Sequence, residues 1–257
     1  MRRLFAAALL PLIAGLGLAA GRAADGDQKW GTIKGQIIWA GEALPEFKKV
    51  DVNKNQDHCL SKGDIYSEEW IINKKNKGIR WVFVWLIPEG NGKLAIHPDL
   101  EKIKVKELMM DQPCCKFEPH AIALRKGQTL VVKNSSPISH NVDWKGLLPT
   151  QGNNVSVPAG NSMKISPKPS KYPIQISCGI HPWMHAWLRV FDHLYYTLTD
   201  AVGNFEIKNA PAGKCRLMIW QDNGYRNGEK GAKGEPIEIK TGGVTDLGKI
   251  EWKPKKD

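Results

Sequence analysis

Three features of the sequence predict an all-β protein. Short apolar and β-branched runs recur between glycine-, proline- and aspartate-bearing turns. Several of those runs alternate with period two, so that one face of each strand is apolar. No stretch after the N-terminal leader carries the three-to-four-residue apolar rhythm of an amphipathic helix. Short strands separated by such turns indicate β-sandwiches.

In order, Gly31 to Trp39 reads as the first strand and is followed by a turn at Gly41. Residues 42 to 78 are polar, bear lysine and proline, and predict a long connection with little regular structure. Arg80 to Ile87 is nearly continuously apolar, which predicts a strand buried on both faces. Phe117 to Leu124 and Thr129 to Asn134 flank a turn at Lys126-Gly127 and read as an antiparallel unit. Asn134 to Pro137 is a turn leading to His140, and a glycine- and asparagine-rich stretch runs from Gly146 to Asn161. Tyr172 to Cys178 alternates, placing Ile174, Ile176 and Cys178 on one inward face. Beyond Asp192, strands at Tyr195–Thr199, Phe205–Ile207 and Leu217–Trp220 are joined by turns at Asp200–Gly203 and Pro211–Gly213.

The chain has 257 residues, enough for one large or two small domains. Residues 1–24 read as a secretory signal peptide: Arg2-Arg3, an apolar run to Ala20, and small residues for cleavage near Ala23-Ala24. The expected destination is the periplasm or the exterior, with no membrane span in the mature chain. Without the three leader arginines the formal charge falls from +11 to about +8. The lysines are scattered and no RNA-binding aromatic motif accompanies them, so nucleic acid is not an expected partner. In an exported chain the five cysteines tend to be oxidised or metal-bound, while Cys215 sits in an apolar strand pattern and reads as a small buried side chain. With Cys178 set aside, four cysteines allow three connectivities. Cys114 and Cys115 would point opposite ways in a strand, so only one meets a given distant partner, and Cys59 with Cys115 is the preferred pair.

The chemistry is concentrated in Cys178-Gly179-Ile180-His181-Pro182-Trp183-Met184. Thiolate, imidazole and thioether at this spacing form most of a copper site, since soft sulfur with nitrogen suits an ion cycling between Cu(I) and Cu(II). The missing second imidazole is offered by His140, in Ser139-His140-Asn141-Val142. Gly179 is expected to let the turn fold back. Zinc accepts cysteine and histidine, but the thioether of Met184 argues against a zinc preference. His185 is an alternative to Met184 as fourth ligand, although His120, His185 and His193 each read as structural or exposed rather than ligating.

Phe117, Pro119, Ile122, Leu124, Gly127 and Thr129, followed by Asn134 and His140-Asn141-Val142, resemble the plastocyanin/amicyanin group of cupredoxins. The loop from Cys178 to Met184 resembles the short ligand loop of amicyanin. The resemblance spans residues 103–191 and implies a Greek-key sandwich holding one copper ion, with electron transfer as the activity. It implies His140, Cys178 and His181 as equatorial ligands, Met184 as the weak axial ligand, and Asn141 as a hydrogen-bonded tie between the ligand loops. Pro182 and Trp183 would form a docking patch around the edge of His181. The pattern of Thr199-Asp200, Gly203, Phe205, Ile207, Pro211, Gly213 and Leu217 resembles carboxypeptidase regulatory-like, transthyretin-like domains. That resemblance implies a second, smaller sandwich built from residues 30–100 and 192–257, with the cupredoxin inserted. A copper enzyme needs further histidine clusters, whereas this chain has seven histidines and Cys178 lies between Ser177 and Gly179, so no enzyme is expected. A redox protein, such as a c-type cytochrome or dehydrogenase, is the expected partner. The alternative is a binding or surface module with a structural or delivery copper.

Overall fold

The structure is a computed structural model that describes residues 29–145 and 152–253. The expected leader lies outside these residues. The strands, in chain order, are β1 (Trp30–Trp39), β2 (Phe83–Pro88), β3 (Glu107–Asp111), β4 (Ala121–Arg125), β5 (Thr129–Lys133) and β6 (His140–Trp144). There follow β7 (Asn153–Val157), β8 (Ser162–Ile165), β9 (Ile174–Ser177), β10 (His185–Phe191) and β11 (Tyr196–Leu198). The last are β12 (Asn204–Pro211), β13 (Gly213–Gln221), β14 (Gly224–Tyr225), β15 (Glu235–Ile239) and β16 (Val244–Trp252). The helices among the described residues are single turns, α1 (Gln56–Cys59), α2 (Pro98–Glu101) and α3 (Gly228–Gly231). The fold is all-β.

Two pairs of sheets each enclose a core. In the first pair, a sheet ordered β3-β5-β8 faces one ordered β4-β10-β9-β6-β7. Met110, Leu130 and Val132 from the former meet Leu124, Val142, Ile176 and Leu188 from the latter. In the second pair, β12-β1-β16 faces β11-β2-β13-β14, with β15 also on β13. Ile33, Ile37 and Phe205 there meet Val84, Leu86, Leu217 and Ile219. The period-two rule explains each inward row, because alternate side chains of a strand point to the same face.

The continuous apolar run of β2 has a specific cause. Val84 and Leu86 enter the second core, whereas Phe83 and Trp85 point the other way, into a third cluster with Met218, Trp220, Ala121 and Phe191. That cluster joins the two sandwiches face to face. Arg189 is buried in it, its guanidinium 3.8 Å from the Trp85 ring centre and 4.4 Å from that of Phe191. Burial pulls its pKa down to about 10, which leaves it charged at neutral pH. Arg80 to Val82 precede the strand, with Trp81 at φ 65°.

Two sequence expectations are corrected, and one unassigned stretch proves to hold a strand. β4 and β5 do not pair: β4 lies parallel to β10 and β5 parallel to β3. The turn at Lys126-Gly127, with Gly127 at φ 92°, carries the chain from one sheet to the other, so that Leu124 and Leu130 reach one core from opposite sides. Cys114 and Cys115 sit in a bend rather than a strand, with Cys115 at φ 50°, and both are buried. Within the glycine- and asparagine-rich stretch, Asn153–Val157 forms an edge strand on β6, with His140 opposite Val157.

Candidate metal centre

Topology brings the remote ligand segments together. β6 and β9 are antiparallel, with Asp143 opposite Ser177, so the start of β6 runs on beside the loop that follows β9. His140 opens β6, and Cys178 follows the last residue of β9. Asn134 shapes the approach to His140: its Nδ2 donates to the carbonyls of Ile138 and Val157, each at 2.8 Å, and its Oδ1 accepts from Ser136. The loop between β9 and β10 closes on itself. The Met184 amide donates to the His181 carbonyl at 2.9 Å, and the Cys178 amide donates to the Met184 carbonyl at 3.1 Å. The turn folds back at Gly179 as expected, and it does so without a left-handed φ there, closed by these two bonds.

His140 and His181 face each other through Nδ1 at 3.0 Å, and Cys178 Sγ lies 3.9 and 3.8 Å from those two nitrogens. A triangle with these sides has its centre about 2.1 Å from every corner, close to a metal–imidazole bond length. All three residues are essentially buried, and Met184, also buried, belongs to the same core. Burial, the neighbouring His181 and His58 together push the pKa of His140 down to about 4. Burial, then Lys54 and His58, lowers that of His181. Both rings are therefore neutral at pH 7 with lone pairs to offer, the form a metal requires. His140 Nε2 has no hydrogen-bond partner. The donor set fits a copper ion, two imidazoles with one thiolate and a thioether in the adjoining core.

Asn141 ties the two segments. Its Oδ1 accepts from the Ile180 amide at 3.1 Å and lies 3.1 Å from Cys178 Sγ, and its backbone N–H points at the same sulfur at 3.5 Å. Its Nδ2 donates to Asn154 Oδ1 at 2.6 Å.

The residues around His181 differ from the sequence reading. Pro182 is exposed, and Trp183 is half-buried, its ring 5.2 Å edge-on from that of His181 and its Nε1 donating to the Cys115 carbonyl at 3.2 Å. The edge of His181 does not reach the surface for these two residues to surround: its Nε2 lies 3.0 Å from Asn55 Oδ1. Asn55 comes from the long connection, where φ 51° places it in the left-handed region that asparagine tolerates. Val52, Cys59 and Ile65 of the same segment pack into the first core. A Cys59–Cys115 disulfide fastens the segment there, and one His181 ring nitrogen lies within 4.8 Å of both sulfurs. Cys114 and Cys215 are free and buried. Nothing in the composition of residues 42 to 78 singled out Asn55; only its place one turn before Cys59 hinted at proximity to the bridge.

A second cluster was not expected. His120, His185 and Asp222 lie together where the sandwiches meet, and His120 and His185 line a cavity with Met184 and Trp183. His185 therefore points to this cluster as well as following Met184 in sequence.

No known family model matches the chain, and no curated protein does. The solved structures similar to it include a purple cupredoxin from Nitrosopumilus maritimus, at 15% identity over 32% of this chain and 97% of that one, with a TM-score of 0.28. An oxidised single-residue mutant of amicyanin matches at 18% identity over 33% of this chain and 82% of the other, with a TM-score of 0.31. A copper-containing nitrite reductase from Thermus scotoductus matches at 17% identity over 41% of this chain but only 25% of the reductase, with a TM-score of 0.30.

Proposed function

We propose that this chain is an exported blue-copper protein that passes single electrons, and not an enzyme. The observation that carries the reading is the convergence of His140 Nδ1, His181 Nδ1 and Cys178 Sγ on one buried point. Copper held there would supply a one-electron Cu(I)/Cu(II) couple. His140, Cys178 and His181 would hold it strongly, with the Met184 thioether as a weaker ligand that favours Cu(I). The buried surroundings keep water off the thiolate, and Asn141 fixes the sulfur and the loop that follows it. On this reading residues 103–191 form the cupredoxin unit, residues 30–100 with 192–257 form a regulatory-like sandwich, and residues 1–24 direct export to the periplasm or beyond. A c-type cytochrome or a dehydrogenase is the proposed exchange partner.

The test is the visible and paramagnetic resonance spectrum of the copper-loaded mature chain. An intense thiolate-to-copper absorption that disappears in Cys178→Ser supports the reading, and a colourless Cu(II) protein overturns it.

One observation favours a second reading, a binding module with a structural or delivery copper. His181 Nε2 is closed off by Asn55 rather than presented at the surface. A reversible potential with rapid exchange against a c-type cytochrome would decide for the carrier.

A further inference from the structure

We infer that His120, His185 and Asp222 form a second metal site, one that takes a borderline divalent ion such as zinc(II) or copper(II). Two imidazoles and a carboxylate suit such ions. The inference does not depend on the copper reading of the first cluster.

The three residues arrive from separate elements. His120 directly precedes β4 and His185 opens β10; these strands are parallel and in register, which aligns their starting ends. Asp222 sits in the turn between β13 and β14, and so belongs to the other sandwich. His120 Nε2 lies 3.1 Å and His185 Nε2 3.6 Å from the same oxygen, Asp222 Oδ2.

The far side of each ring carries the strongest argument. A ligating histidine characteristically donates its other ring N–H to a carboxylate or a backbone carbonyl, which fixes the tautomer and aims the lone pair at the metal. His185 Nδ1 lies 3.3 Å from the Trp183 carbonyl. His120 Nδ1, on a ring only 2% exposed, has no hydrogen-bond partner and faces Glu68 Oε2 at 3.8 Å. Both rings thus turn Nδ1 toward an acceptor and Nε2 toward Asp222. Glu68 also holds Lys116 Nζ at 3.7 Å, so the carboxylate that backs His120 is itself positioned.

Asp222 Oδ2, on a side chain only 9% exposed, is the oxygen that both Nε2 atoms approach. A cavity of about 200 Å³, bordered by Tyr66, Glu68, Phe117, His120, Trp183 and His185, gives access from solvent. Three protein donors leave coordination positions open to water or a small anion from that side.

The experiment titrates the full-length mature chain, loaded with a single equivalent of copper, with zinc(II) chloride in a calorimeter. One equivalent should bind beyond the copper, at least about ten-fold more weakly in Asp222→Asn and in His120→Gln, with the visible absorption unchanged in both. That absorption also reports that each variant is folded. Crystals soaked in zinc(II) should show anomalous density beside Asp222 Oδ2 whether or not Cys178 takes copper, so the two readings fail separately. No zinc uptake by the unaltered chain, uptake unaffected by both substitutions, or density only at Cys178 would overturn the site and leave a metal-free polar clamp between the sandwiches.

Discussion

The two histidine clusters use similar donors in opposite surroundings. His140, Cys178 and His181 are at most 1% exposed and are closed by Asn55 and a disulfide-fastened segment. His120 and His185, which share Asp222, border an open cavity, and the His185 side chain is 28% exposed. A sealed cluster holds its donors in one arrangement through a change of charge, because nothing else can enter to replace them. A cluster at a cleft leaves room for exchange of water or an anion. Access, more than donor identity, separates their uses.

Substitutions can break this contrast or sharpen it. The largest effect is expected from Cys178→Ser, which should abolish the visible absorption of the copper-loaded chain while zinc(II) still binds at Asp222. Absorption and calorimetry on one sample check both halves. Replacing Cys59 and Cys115 together by serine unfastens the lid of the sealed cluster. The bridge spans a sequence separation of 56, so its loss should cost about 4 kcal/mol, read from denaturant unfolding, and speed copper loss to a chelator.

Acid probes the seam between the sandwiches, where the His193 ring lies 5.6 Å from that of Phe191. Burial, opposed by Asp192 and assisted by Arg189, lowers the pKa of His193 to about 4, and its Nδ1 accepts the Tyr195 amide at 3.1 Å. The folded chain therefore resists protonation that the unfolded chain accepts. The stabilisation is complete above the ordinary value of 6.5 and drains away as pH falls from there toward 4, on the order of 3 kcal/mol in all. His193→Gln should flatten that slope by about one proton.

A smaller effect is expected at Asn55. Asn55→Ala leaves His181 Nε2 without its partner, for a loss of about 1–3 kcal/mol if water does not replace it, and should quicken electron exchange with a small soluble oxidant. Stopped-flow oxidation checks the rate. Smallest of all is Gly179→Ala. An added Cβ would meet Asn141 Nδ2 at 3.5 Å, ordinary contact, and the backbone there is not left-handed, so stability should change by less than about 0.5 kcal/mol.

Much of the sealed cluster was legible because its signals are local. Three donor types lie within one loop, and the Ile174, Ile176, Cys178 row shows the inward face through simple alternation. His140 required only the short turn after Asn134. The open cluster was illegible for the converse reason: His120, His185 and Asp222 share no spacing, and only the stacking of two sandwiches brings Asp222 to the other pair. The lid was hidden by its composition, since a polar, lysine-bearing stretch reads as a mere connection and hydrogen-bonding reach cannot be read from polarity. The false hairpin of β4 and β5 arose because alternation and a glycine turn look alike whether the chain returns in the same sheet or arches into the facing one. The unbroken apolar run of β2 was read correctly as burial on both faces, but what lay beyond the second face was not specified.

That second face restricts how the molecule can be divided. Phe83 and Trp85 are shielded by Ala121 and Phe191 from the neighbouring unit, with Trp187 and Trp220 stacked edge-on at 4.7 Å across the seam. Excising residues 103–191 to obtain a minimal copper carrier would strip this cover and leave an aromatic scar in water, the kind of patch that drives self-association. The two halves are better regarded as one piece of machinery than as a cargo and its handle.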